Sequence, residues 1–438
     1  MIILSYISCL VLFFYIIHKL ERKNIFLPEI RRKILHIGGG VGALIFPLIF
    51  NNRLHVILLS MFVIFILVIL RFVPKAQYGI TRVLKTEDRR TYGDIYFPLS
   101  ILILWILAGD DKILYYVPVL ILMFSDATAA LAGKYYGKFK YDAVEGKKSV
   151  EGSIIFFLTT YLFTSMTLQF YTNIESQKII LISLLLGLIE MVLEAISWRG
   201  LDNLFIPLMS FFMLKSFISV SYEKLVFDFI ITILLFIGSL FGNKKRELAS
   251  DGTLICFFYA YVLFILGGID WLIIAVVLFL FYPFVTARAK ISDEKPYNAS
   301  TLIVIIVPTV FWILAHIYFN DRILMFPYLV AFSSHLSIIG ISRLRRVNPD
   351  LKSNIVISVN TLAGILYMTL FYIILLNEYS IVFWLTSAIS ILLCTFTFNK
   401  LVPIKDKYTL NTHRHAKHTI AVFVFSCIPL VPIYFIRL

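Results

Sequence analysis

The chain has 438 residues, 60% of them hydrophobic and only 15% charged, with a formal net charge of +14. No polar stretch is long enough to bury a core of its own, which excludes a soluble enzyme and marks a polytopic helical membrane protein. The positive charge follows the connecting loops, so it reads as topology and implies no nucleic-acid partner.

Apolar runs fall near residues 1–18, 34–50, 54–71, 93–108, 113–133, 152–171, 178–196, 202–217, 224–241, 252–267, 269–287, 300–318, 323–340, 354–376, 381–398 and 419–436. By the length needed to cross a bilayer these are about 16 spans of an all-α integral membrane bundle. Met1 to Ile17 has no basic residue ahead of it and no small-residue cleavage site after it, so it reads as a first span and not as a cleaved signal. Alternate connections are very short, as at Asn51–Arg53 and Asn320–Arg322, or basic, as at Lys134–Lys148 and Lys400–Lys417. Of the 40 lysines and arginines, 33 fall on the basic side, which places that side in the cytoplasm and both termini outside. Cys9, Cys256, Cys394 and Cys427 stand alone in apolar spans and carry no metal or redox argument.

The first motif in the chain is Arg31-Arg32-Lys33-Ile34-Leu35-His36-Ile37-Gly38-Gly39-Gly40. On a helix Arg32 and Lys33 share a face with His36 at the cytoplasmic boundary. A snorkelling anchor accounts for the bases alone. The imidazole one turn deeper and the glycine triplet point instead toward a phosphate. Tyr92 to Leu99 then enters the fourth span, with Pro98 tolerated in its first turns.

The stretch from Phe124 to Ser153 organises the rest. Asp126 stands where hydrocarbon is expected, and an acid in that setting is a functional hypothesis by default. On a helix Asp126, Ala130, Gly133 and Gly137 share one face, acidic at one end and nearly bare at the other. Such a face admits another backbone or a phosphate. The stretch ends in Lys147-Lys148-Ser149-Val150-Glu151-Gly152. Lysines, glycines and separated carboxylates in one segment suit a polyphosphate with its divalent metal.

The span ending at Trp198 carries Glu190, Glu194 and Ser197 along one face, followed by Gly200, Asp202 and Asn203. Capping of the next helix would account for Asp202 or Asn203. It does not account for Glu194, which at that depth needs a metal, a partner or a proton.

Taken in order, Arg31 to His36, Gly93 to Leu99, Asp126-Ala127 with Gly133 and Gly137, Lys148 to Gly152, and Glu194 with Ser197, Gly200, Asp202 and Asn203 resemble the phytol kinase and dolichol kinase family. The resemblance covers about the first half of the chain. It implies transfer of the terminal phosphate of CTP, or another nucleotide, to the hydroxyl of an isoprenoid or related lipid alcohol, with Mg2+. On that resemblance Asp126, Glu151 and Glu194 are the expected catalytic and metal-holding acids. Arg32, Lys33, His36, Gly133, Gly137, Lys148, Ser149 and Gly152 are the expected nucleotide and phosphate contacts. Ser197, Asp202 and Asn203 support them. The charge-derived topology puts all of these motifs at the cytoplasmic surface, where a soluble nucleotide meets a lipid hydroxyl. The expected partners are therefore a nucleotide, a lipid alcohol and membrane lipids.

Two alternatives stand beside this one. The Asp126 to Glu151 pattern is also similar to CTP:phosphatidate cytidylyltransferases, which make a CDP-lipid. Against them, the chain reads Ala143-Val144-Glu145-Gly146 where that family usually has Ser-Pro, and a late Pro-Gly-His-Gly-Gly is missing. An ion- or proton-coupled transporter would carry acid-bearing spans in both halves, and the second half lacks them.

The expected domains are 1–243 and 244–438. In the second, Ala249 to Thr253, Gly267-Gly268 and Lys295 to Ser300 resemble a membrane family that includes phytyl-phosphate kinases. Where that family places Asp-Thr followed by Ser-Glu, the chain reads Phe332-Ser333-Ser334-His335 through Ser342-Arg343, without the acids. His413, His415 and His418 lie among Arg414 and Lys417, whose charges repel a metal, so the segment reads as a solvated cytoplasmic loop.

Overall fold

A computed structural model of the chain describes residues 2–22, 28–72, 91–244, 248–285, 298–348, 350–401 and 412–432. The Lys295 to Tyr297 part of the second-half motif lies outside the described residues. The chain divides into two compact units, Met1–Phe236 and Ile237–Leu438. That division falls inside the helix Tyr222–Lys244, near the end of which the sequence reading places its own boundary.

The first unit runs α1 (Ile2–Arg22), α2 (Pro28–Leu44), α3 (Phe46–Ile49), α4 (Arg53–Phe72), α5 (Gly93–Ala108), α6 (Lys112–Leu120) and α7 (Asp126–Tyr135). Between α6 and α7, Ile121–Ser125 winds as one π turn, so the expected fifth span is one continuous rod with a local bulge. A short antiparallel hairpin follows, β1 (Lys140–Asp142) and β2 (Lys147–Ser149), with Tyr141 opposite Lys148. Then come α8 (Val150–Tyr171), α9 (Ser176–Ile196), α10 (Asp202–Ser219) and α11 (Tyr222–Lys244). The second unit contributes α12 (Ser250–Val285), α13 (Ala299–Phe319), α14 (Met325–Val347), α15 (Ser353–Leu375), α16 (Ile381–Leu401) and α17 (Thr412–Ser426).

Local chemistry sets many of these ends. Asp111 caps α6 by accepting from the Ile113 and Leu114 amides, and Ser149 caps α8 by accepting from Gly152 N. Asn298 caps α13 in the same way, and Asn320 closes that helix in the left-handed conformation. Among the described residues eleven helices are long and apolar enough to cross a membrane. The protein is an all-α polytopic membrane bundle. Other members of the expected set are shorter, as α5 is, or are joined: Ser250–Leu280 counts as one helix although Gly268 leaves helical geometry within it.

Each unit has its own interior. In the first, α9 is the most enclosed candidate span, with Ile182, Leu185, Leu186, Ile189 and Val192 fully buried. In the second, α14 is enclosed even more completely, and Tyr328, Phe326 and Phe332 anchor its apolar core. The three-histidine segment is not the solvated loop expected of it. Residues 412–426 are helical, and buried His418 places Nε2 3.1 Å from Nδ1 of buried His335. The flanking charges had suggested solvent, but helical periodicity turns His418 inward, and Arg414 donates to Ser342 Oγ at 2.8 Å.

Candidate active site

The π turn sets up the first cluster. A π turn widens the backbone ring and leaves a carbonyl open to an outside donor, a feature concentrated at functional sites. Here His36 Nε2 lies 2.8 Å from Leu122 O, inside the π turn, and 3.5 Å from Asp126 Oδ2. Lys33, three residues earlier on α2, donates to Asp126 Oδ2 at 2.7 Å and to Asp126 O at 3.2 Å. Both partners are buried, Lys33 at 2% exposure and Asp126 at 8%. Arg32 is exposed but lies within electrostatic reach of Asp126. Phe97, on α5, packs edge-on against the His36 ring.

The second cluster is built by the hairpin. Lys148 on β2 reaches α9 and donates to both Glu194 Oε1 and Glu194 O, each at 2.5 Å. Burial works against the Lys148 charge, but Glu194 outweighs it, and the ammonium is held above the ordinary lysine range. Asp202 feels Asp126, Lys148 and Lys33 electrostatically, and Glu194 feels both Asp126 and Asp202. The two ion pairs and Asp202 thus form one charged assembly.

The other expected residues have more local tasks. Glu151 turns to the base of the hairpin, where it accepts from Lys138 N at 2.9 Å and from Phe139 N at 3.1 Å. Ser149 is the α8 cap, and Ser197 donates back to Leu193 O at 2.7 Å. Neither Asp202 nor Asn203 is an N-cap: Leu201 holds that position without a side-chain bond, and Asp202 Oδ1 accepts from Asn203 N. Asn203 donates to Gly93 O at 3.3 Å, while its buried Oδ1 has no partner.

The bare face of α7 is occupied by another backbone. A Cβ at Gly152 would stand 3.0 Å from Ala129 O and 3.2 Å from Gly133 Cα, so α7 and α8 cross in contact. Gly137 lies beyond the end of α7, against Gly133 O and Ser149 Oγ. The Gly38 to Gly40 triplet meets Phe13, Phe97 and Met123 side chains.

Among the described residues no three histidine, cysteine or acidic side chains form a group that could hold a metal unaided. Magnesium is ordinarily held by one or two carboxylates together with substrate phosphates. Asp126 and Glu194, with Asp202 in electrostatic reach of both, fit that donor pattern.

The sequence singles out Glu190 but not its partner, and it misses the Arg71–Asp94 pair and the Glu145 contact. Glu190, fully buried, accepts from Ser210 Oγ at 2.8 Å and leaves Oε2 without a partner. Arg71 pairs with Asp94 at 2.7 Å and stacks over Tyr92. Glu145 Oε2 accepts from Arg199 N at 2.5 Å. For the last, Glu-Gly between two short polar runs is a turn signal that marks a hairpin.

Fold and site together define a polytopic helical membrane protein with a partly buried acid–base assembly in its first unit. No family model matches the chain, and no solved structure matches it. The chain is similar to the phytol kinase of Synechocystis sp., with 28% identity over 191 residues, which are 43% of this chain and 79% of that protein.

Proposed function

We propose that the first unit transfers the terminal phosphate of CTP to the hydroxyl of an isoprenoid alcohol such as phytol. The observation that carries this reading is that the Lys33–Asp126 and Lys148–Glu194 ion pairs lie within electrostatic reach of one another and of Asp202. Phosphoryl transfer asks mainly for positioning and for neutralisation of charge on the transferred group. Lys33 and Lys148 supply that positive charge, and Arg32 adds to it at the exposed edge. His36, anchored on the π turn, orients the Asp126 carboxylate.

Asp126 and Glu194 would hold Mg2+, with Asp202 in reach. A divalent metal held by these carboxylates would supply positive charge to neutralise the phosphate. Glu151 has a different task in this scheme, fixing the hairpin so that Lys148 meets Glu194. A lipid hydroxyl at the membrane surface then faces the phosphate-binding end of the bundle.

The test uses purified protein in lipid vesicles with CTP labelled at the terminal phosphate in one reaction and at the inner phosphate in another. Phytol, farnesol, geranylgeraniol and dolichol serve as acceptors. Terminal label in the lipid is the expected result. Inner label in the lipid would assign a CDP-lipid synthase instead, and no transfer from any nucleotide would remove the reading.

A further inference from the structure

Lys148 sits on a hairpin too small to hold its own position. Two isolated strands are marginal in water, so the β1–β2 hairpin stands where its tethers put it. At its base Glu151 accepts from Lys138 N and Phe139 N, and Val150 N donates to Phe139 O at 2.9 Å. Midway, the Tyr141 and Ser153 hydroxyls meet at 2.7 Å. The tip is the turn Ala143 to Gly146, closed by Ala143 N donating to Gly146 O at 3.0 Å.

At that tip Glu145 reaches across to the backbone of the α9–α10 loop, where Arg199 N donates to its Oε2 at 2.5 Å. Arg199 has φ 52, a left-handed conformation that side-chain-bearing residues avoid. Its carbonyl accepts from Tyr92 N at 2.9 Å. Gly200 follows with φ 83, and a Cβ there would stand 2.5 Å from Gly93 N. The loop backbone is therefore bent against its preference into a shape that gives its N–H to the hairpin and its C=O to the start of α5. Strain of this kind persists only where neighbouring contacts over-determine it.

On the phosphotransferase reading above, we propose that Glu145 is a positioning residue whose carboxylate latches the hairpin bearing Lys148 to the loop that leads into α10 and its first residue, Asp202. The latch holds the two sides of the phosphate site at one spacing. Glu145 touches neither nucleotide nor alcohol; it acts through Arg199 N–H. Without the latch the hairpin samples positions in which Lys148 and Asp202 do not face one phosphate together. Nucleotide affinity then falls in proportion to the competent fraction, while turnover of the loaded enzyme is preserved.

The experiment compares the full-length wild type with Glu145→Ala, Glu145→Gln and Arg199→Ala in vesicles. Glu145→Ala raises the KM for CTP about tenfold and leaves kcat within about twofold. Glu145→Gln, whose amide oxygen still accepts, restores most of the affinity. Arg199→Ala keeps the wild-type KM because the latch uses backbone. A lowered kcat at unchanged KM in Glu145→Ala would mean lost folded enzyme and would overturn the proposal, as would an Arg199→Ala protein that behaves like Glu145→Ala. Amide hydrogen exchange supplies the second readout: the Arg199 N–H exchanges faster in Glu145→Ala than in wild type. Unchanged exchange there removes the latch alone, whereas a wild type that transfers no phosphate removes the phosphotransferase reading and the kinetic role with it.

Discussion

Lys148 meets Glu194 twice, through the carboxylate and through the main-chain carbonyl of the same residue, across 46 residues of sequence. One ammonium thereby secures the last turn of α9 to the hairpin and presents a partly buried positive charge within electrostatic reach of Asp202. The Lys33–Asp126 pair does the corresponding job between α2 and α7 across 93 residues.

Removing one member of a buried pair strands the other charge, at a cost of about 3–5 kcal/mol. Asp126→Asn is therefore expected to lower thermal stability as well as to cut phosphoryl transfer by orders of magnitude. A double variant, Lys33→Met with Asp126→Leu, recovers stability and stays inactive. Tm in detergent together with label transfer checks both; an active double variant would exclude the pair from the chemistry.

Glu151 and Glu194 separate by role. Glu151→Gln keeps an acceptor for the Lys138 and Phe139 amides and is expected to lose no more than a few-fold in kcat. Glu194→Gln loses the charge that faces Lys148 and falls by orders of magnitude. Equal losses in steady-state assays would return Glu151 to the reacting group.

The α7–α8 crossing depends on a missing side chain. Gly152→Ala brings a Cβ to 3.0 Å from Ala129 O and 3.2 Å from Gly133 Cα, both backbone atoms that move only with their helices. The expected cost is about 1–3 kcal/mol, read as a lowered Tm. Gly238→Ala, whose Cβ meets nothing within 4 Å, is the matched control and keeps the wild-type value.

Residues 1–243 contain every motif that resembles the lipid-alcohol kinases and retain nearly all of α11. Expressed alone, this fragment is expected to transfer phosphate to the alcohol. Residues 244–438 alone are expected to show no alcohol kinase activity. An active second fragment beside a folded, inactive first one would reverse the assignment.

Single-cysteine labelling in a background without the four native cysteines checks the charge-derived orientation. A replacement at Lys140 is expected to react only from the cytoplasmic side, and one at Asn52 from outside. Labelling of Lys140 from outside would place the hairpin away from the nucleotide.

The sequence by itself determined the membrane class, because hydropathy is a local property and a run of apolar residues needs no partner to declare itself. It also singled out Asp126 and Glu194, since an acid in hydrocarbon is costly wherever the chain later goes. Only the tertiary structure decided what each charge meets: Lys33 with Asp126, Lys148 with Glu194, Glu151 with hairpin amides, and His418 with His335. The same holds for the bare face at Gly133, which on the residues alone suited either a phosphate or a backbone and which Gly152 fills. Pairings between residues 46 and 93 positions apart depend on how helices cross, and helix crossing is set by the summed packing of many side chains, which no short stretch of sequence contains.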